Sequence, residues 1–124
     1  MAKKILIVED EEILLNLLTN KLTELGYEVS NALDGNQGWE TVKEVMPDLI
    51  LLDIIMPKMG GFELLEKIRG DNSTKTIPVI IISNSGQPVE LDRAKQLGAN
   101  DWLIKTEFDP QEVVNKVVAQ IGDK

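Results

Sequence analysis

Five side chains in this 124-residue chain have the types and placement to do chemistry together: the carboxylates of Glu9, Asp10 and Asp53, the hydroxyl of Ser83 and the ammonium of Lys105. The sequence holds no histidine and no cysteine. That removes imidazole acid–base catalysis, Ser–His and Cys–His nucleophile pairs, and nearly every zinc site. What is left is the chemistry of carboxylates, lysines, hydroxyls and a hard metal ion. Three carboxylates packed together repel by about 4 kcal/mol per pair at 4 Å and an effective dielectric near 20. A divalent cation with oxygen ligands relieves this, and Mg²⁺ suits few carboxylates, retained waters and a phosphate oxygen. A carboxylate can also serve as a covalent nucleophile and become an aspartyl phosphate. Phosphoryl transfer then asks mainly for positioning and charge neutralisation, which Mg²⁺, Lys105, Ser83 and the backbone N–H of Asn84 would supply.

For these residues to meet, the chain must bring distant segments to one edge. Lys4 to Val8 is β-rich and continuous, as in a strand buried on both faces. Leu14, Leu17, Leu18, Leu22 and Leu25 recur at helical spacing over residues 11–25, and Gly26 supplies a stop. Residues 27–32 make a weaker strand. Asp34 can cap a second helix with Trp39, Val42 and Met46 on one face, ended by Pro47. Residues 48–53 form the most apolar strand, which is expected to be central. After Pro57 and a Gly60-Gly61 turn, Phe62, Leu65 and Ile68 mark a third helix closed by Gly70. A polar loop (71–76), a strand (78–82), a helix (89–97) with Gly98 behind it and a short strand (101–104) follow. Asp109, Pro110 and Glu112 then read as N-cap, N1 and N3 of a last helix carrying Val113, Val114, Val117, Val118 and Ile121.

Five strand–helix units in strict alternation predict an α/β, doubly wound, five-stranded parallel sheet with right-handed crossovers and helices on both faces. In such sheets a ligand sits beyond the C-terminal strand ends, near a switch point in strand order. Those ends carry Glu9 and Asp10, Asp53, Ser83 and Lys105. The length fits one domain, taken as residues 1–124. No apolar run is long enough for a bilayer, and Glu9 to Glu12 cuts the first one too early for a signal peptide. With no cysteine, a cytoplasmic location is expected. A net charge of −8 argues against nucleic acid as a direct partner.

The chain resembles the response regulator receiver family. The matching pieces are Ile-Leu-Ile-Val-Glu-Asp (5–10), Leu-Leu-Asp-Ile-Ile-Met-Pro-Lys-Met-Gly-Gly (51–61), Ile-Ile-Ile-Ser (80–83) and Gly-Ala-Asn-Asp-Trp-Leu-Ile-Lys (98–105). The resemblance implies a flavodoxin-like sheet of order 2-1-3-4-5 with five helices. It implies a phosphorelay protein, not an enzyme in its own right, that supports its own phosphorylation and slow autodephosphorylation. The donor would be a histidine kinase or histidine phosphotransfer protein. A downstream effector would read the face of the fourth helix, fifth strand and fifth helix. Carried over by position, Asp53 matches the phosphoacceptor, Asp10 the direct metal ligand, and Glu9 the second acidic residue, acting through water. Ile55 would lend its backbone carbonyl to the metal, which is Mg²⁺ with Mn²⁺ as a substitute. Ser83, Asn84 through its backbone, and Lys105 match the phosphate-binding groups, and Ser83 and Trp102 the switch pair. One departure is Thr106, where the family usually has a proline that is often cis. A cis bond at threonine would cost about 2.5–4 kcal/mol, which favours a trans, looser loop.

Each residue also has a plainer reading. Glu9 and Asp10 could serve only the dipole of the first helix, as Glu11 and Glu12 are expected to do. Trp39 reads as core packing and Gly60 and Gly61 as turn flexibility. A flavin binder of similar fold would place a phosphate cradle after the first strand, where Glu-Asp-Glu-Glu repels an anion. A haloacid-dehalogenase-type phosphatase would need a second Asp at Ile55. A receiver-like scaffold without phosphorylation is disfavoured by the intact set of five.

Overall fold

Leu49–Asp53 and Val79–Ser83 are buried at every position, because each strand has a neighbour on both edges and helices over both faces. The computed structural model describes residues 2–55, 59–84, 87–105 and 109–122. In chain order the elements are β1 (Lys4–Val8), α1 (Glu12–Glu24), β2 (Glu28–Ala32), α2 (Gly35–Val45), β3 (Leu49–Asp53), α3 (Gly61–Gly70), β4 (Val79–Ser83), α4 (Pro88–Gln96), β5 (Asp101–Ile104) and α5 (Pro110–Ile121). All pairings are parallel and the order is β2-β1-β3-β4-β5, as expected. The expectations placed on Pro57 and Thr106 lie outside the described residues.

Alternation along the strands splits the core in two. Ile5, Ile7, Leu49, Leu51, Ile80, Ile82 and Leu103 pack against α1 and α5. Leu6, Val8, Ile50, Leu52, Val79 and Ile81 pack against α2, α3 and α4. Each such Leu or Ile contributes about 1.5–3 kcal/mol of burial. The expected caps form: Asp34 Oδ1 accepts from Gln37 N–H at 2.8 Å, and Asp109 Oδ1 from Glu112 N–H at 2.9 Å. Gly26 and Gly98 close α1 and α4 with φ of 97° and 93°.

Two helical faces differ from expectation. In α1 the buried residues are Leu15, Leu18 and Leu22, whereas Leu17 and Leu25 are exposed. The pairs Leu14-Leu15 and Leu17-Leu18 allow two helical registers, and docking on the sheet selects Leu15. Met46 does not extend the face of Trp39 and Val42. It caps α2 in the left-handed region at φ 50°, which turns its side chain into solvent.

Candidate functional site

Glu9, Asp53 and Lys105 are the next alternate positions after Ile7, Leu51 and Leu103, so all three continue the α1/α5 side of the sheet at its C-terminal edge. Glu9 is wholly buried, and its N–H still donates to Ala32 O at 3.0 Å, one step past β1. Its Oε2 accepts from Glu11 N–H at 2.9 Å and from Lys105 Nζ at 3.2 Å. Its Oε1 lies 3.0 Å from the same Nζ but has no aligned donor. Asp53 is 3% exposed, with Oδ2 3.1 Å from Lys105 Nζ and Oδ1 at a long 3.4 Å from the N–H of Ile55. Lys105 is anchored at its root, where its N–H donates to Ser83 O at 2.7 Å. Asp10 is exposed at the rim. One oxygen from each of Glu9, Asp10 and Asp53 lies within 4.8 Å of the others.

This arrangement is short of positive charge. Burial pushes the Glu9 carboxyl up to about 7, with Asp53 adding to the effect and the Glu11 N–H and Lys105 opposing it. Burial also raises Asp53, against the pull of Lys105. For Lys105, burial works against the ammonium, but its hydrogen bond to Glu9 and the charges of Asp53 and Glu9 outweigh that and raise it. The lysine is thus firmly cationic while two carboxyls compete to keep a proton. An all-oxygen set of three carboxylates, one of them with a buried oxygen lacking an aligned donor, fits a hard divalent cation.

Gly61 shapes the floor. A Cβ there would collide with the Asp53 carbonyl oxygen and stand 2.6 Å from Ile54 Cα, while Gly61 N–H donates to Ile54 O at 2.8 Å. The turn therefore needs close approach at Gly61 and not the freedom of both glycines. Around Gly60 the nearest atom to an added Cβ is 3.5 Å away. The Ile55 side chain projects outward, 68% exposed.

Ser83 and Trp102 lie on the other side of the sheet from Asp53. The register pairs Ser83 with Ile104 and Ile81 with Trp102, so the hydroxyl and the ring are diagonal neighbours on the face covered by α4. Ser83 is buried and Asn84 follows it, exposed. Trp102 is half-buried and lines a hollow of about 150 Å³ with Leu91, Ala94 and Ala99. Its Nε1 is buried and has no hydrogen-bond partner among the described residues.

Sequence reasoning missed Glu11, whose Oε1 reaches to 3.5 Å from Lys105 Nζ. An acidic run ahead of a helix carries no sign of which residue turns inward. It also missed Arg69, which donates to the carbonyls of Gly98, Lys75 and Ile77 and to Asn100 Oδ1, pinning the α4–β5 corner to the end of α3.

A family model described as the response regulator receiver domain matches residues 5–118. The DNA-binding dual master transcriptional regulator RpaA of Synechocystis sp. is 35% identical over 116 residues, covering 94% of this chain and 48% of that protein. Chemotaxis protein CheY1 of Helicobacter pylori is 35% identical over 121 residues, covering 96% and 97%. Chemotaxis protein CheY4 of Vibrio cholerae superposes with a TM-score of 0.92 at 27% identity, over 98% of this chain and 100% of that one. The chain thus spans about half the length of RpaA and nearly all of CheY1.

Proposed function

Because this chain belongs to the response regulator receiver domain family, we propose that Asp53 is its phosphoacceptor and that residues 1–124 act as one receiver. Receivers of two-component systems accept phosphoryl groups, bind a divalent metal in an acidic pocket, and interact with histidine kinases and effectors. The observation that carries the assignment is the buried Asp53 carboxylate, 3.1 Å from Lys105 Nζ and grouped with Glu9 and Asp10.

In this reading the donor is a phosphohistidine of a kinase or phosphotransfer protein. An Asp53 oxygen forms the new O–P bond as the N–P bond breaks, and the imidazole leaves with the electron pair and takes a proton from solvent. Glu9, Asp10, Asp53 and the Ile55 carbonyl would hold Mg²⁺, Asp10 as a direct ligand and Glu9 through water, and the bound ion would supply neutralising charge at the phosphoryl oxygens. Lys105 exchanges a carboxylate partner for a phosphoryl oxygen. The Ser83 hydroxyl and the Asn84 N–H donate to the others. Drawing Ser83 toward Asp53 frees space beside Trp102, and the adjoining hollow gives the ring somewhere to go. The face of α4, β5 and α5 then changes for an effector protein in the cytoplasm. Nucleic acid is not a direct partner of this strongly acidic chain, and no described helix is long and apolar enough to cross a membrane.

The test is incubation with acetyl phosphate and Mg²⁺ followed by intact mass. One hydroxylamine-labile phosphoryl group on the wild type and none on Asp53→Asn is the expected result. A stable phosphate on the variant would refute the assignment.

A further inference from the structure

Glu11 stands at the N-cap of α1 with extended backbone (φ −79°, ψ 106°), yet its side chain makes no capping hydrogen bond. It turns instead toward Lys105, with Oε1 3.5 Å from Nζ and the side chain 56% exposed. The Lys105 ammonium, with three protons, therefore faces four carboxylate oxygens: both of Glu9 at 3.0 and 3.2 Å, Asp53 Oδ2 at 3.1 Å and Glu11 Oε1 at 3.5 Å. These partners are not equivalent. Glu9 and Asp53 belong, with Asp10, to the three carboxylates whose oxygens converge, and Glu11 does not. A divalent cation in that group would take one oxygen each from Glu9 and Asp53, the two carboxylates nearest the lysine, and would add two positive charges beside it. Among the described residues, Glu11 is the one carboxylate facing Lys105 that lies outside this group, and it stands on the solvent side.

We propose that Glu11 is a positioning residue that holds the Lys105 ammonium at the pocket mouth while the metal site is filled and Asp53 is unmodified, and so competes with the phosphoryl group for that lysine. The proposal rests on the phosphoacceptor reading of Asp53. It differs from simple repulsion of an anionic donor by Glu11, because it runs through the lysine. Aspartate separates the two. It keeps the charge but shortens the side chain by one methylene, about 1.5 Å, which takes the carboxylate out of ion-pair range.

The experiment is titration with beryllofluoride at saturating Mg²⁺, followed by calorimetry, on wild type, Glu11→Gln and Glu11→Asp, each also in a Lys105→Ala background. Both Glu11 variants are expected to bind the mimic about two- to five-fold more tightly, the range of an exposed ion pair. The gain of Glu11→Asp over wild type should vanish once Lys105 is alanine. Tightening by Gln alone would mean charge repulsion and would overturn the proposal. So would three equal affinities, or a gain for Asp that survives Lys105→Ala. If the wild type itself fails to bind beryllofluoride, the phosphoacceptor reading falls first and this proposal with it.

Discussion

The pocket around Asp53 lies beyond the C-terminal end of β3, the shoulder between α4 and β5 lies beside the start of β5, and the two are built in opposite ways. In the pocket, the buried Glu9 and Asp53 and the half-buried Lys105 are held at 3.0–3.2 Å, over a turn in which Gly61 leaves no room for a Cβ. On the shoulder, a hollow of about 150 Å³ adjoins a half-buried Trp102 whose indole N–H has no partner among the described residues. The helices above show the same contrast. α3 buries Leu64, Leu65 and Ile68, whereas the one non-glycine residue buried from α4 is Ala94, and Val89 is 78% exposed. What holds α4 near α3 is more local: Arg93 stacks 4.5 Å from the Phe62 ring, and Arg69 clamps the corner at Gly98. Charge chemistry needs fixed distances, and a switch needs two packings of similar free energy. Here the two demands are met side by side, with Ser83 between them.

If the pocket is rigid, crowding it should be the most damaging change. Gly61→Ala is expected to cost about 2–4 kcal/mol in urea unfolding, whereas Gly60→Ala, whose Cβ would meet only an ordinary contact at 3.5 Å, should stay within about 0.5 kcal/mol. Equal effects would erase the claim of a tight floor.

The electrostatic side of the comparison appears in pH. Glu9 sits at about 7 in the folded chain against an ordinary 4.5, and Asp53 is raised as well. Across that interval the metal-free folded state holds protons that the unfolded chain has released. What these two carboxyls contribute to stability is therefore fully present below about 4.5 and is lost as pH rises toward about 7, by up to about 3 kcal/mol. Thermal melts in EDTA should show the decline, and saturating Mg²⁺ should flatten or reverse it. A rising stability over that interval in EDTA would contradict the charge balance described.

Smaller effects sharpen the contrast. Ala99→Val places a methyl pair at the wall of the hollow and is expected to change stability by less than about 1 kcal/mol, far less than the alanine at Gly61. Ile55 projects from the pocket mouth and cannot orient water, so Ile55→Asn should hasten loss of the acyl phosphate a few-fold, read by the decay of the phosphorylated mass. Unchanged decay would remove Ile55 from the hydrolysis step.

The sheet was legible because β1, β3 and β4 are continuous apolar runs that only a doubly covered parallel sheet accommodates. The convergence of Glu9, Asp10, Asp53 and Lys105 was legible because they end strands that pair in parallel. The α1 face was not, since Leu14-Leu15 and Leu17-Leu18 satisfy two helical registers and only docking decides. The reach of Glu11 to Lys105 was hidden for a similar reason: it depends on side-chain direction at an N-cap, which sequence spacing does not encode. The hollow beside Trp102 arises from small residues, Ala94 and Ala99, whose significance appears only once α4 is placed over β5.

The central claim is that the tight pocket drives the loose shoulder through Ser83, and Trp102 can report it. With Trp39→Phe removing the second indole, beryllofluoride and Mg²⁺ are added and Trp102 emission is recorded with and without Ser83→Ala. A rigid pocket coupled to a mobile ring predicts a changed spectrum in the Trp39→Phe protein and little change once Ser83 is alanine. An identical spectrum before and after the mimic, with its binding shown by calorimetry, would make Trp102 ordinary packing and contradict the coupling.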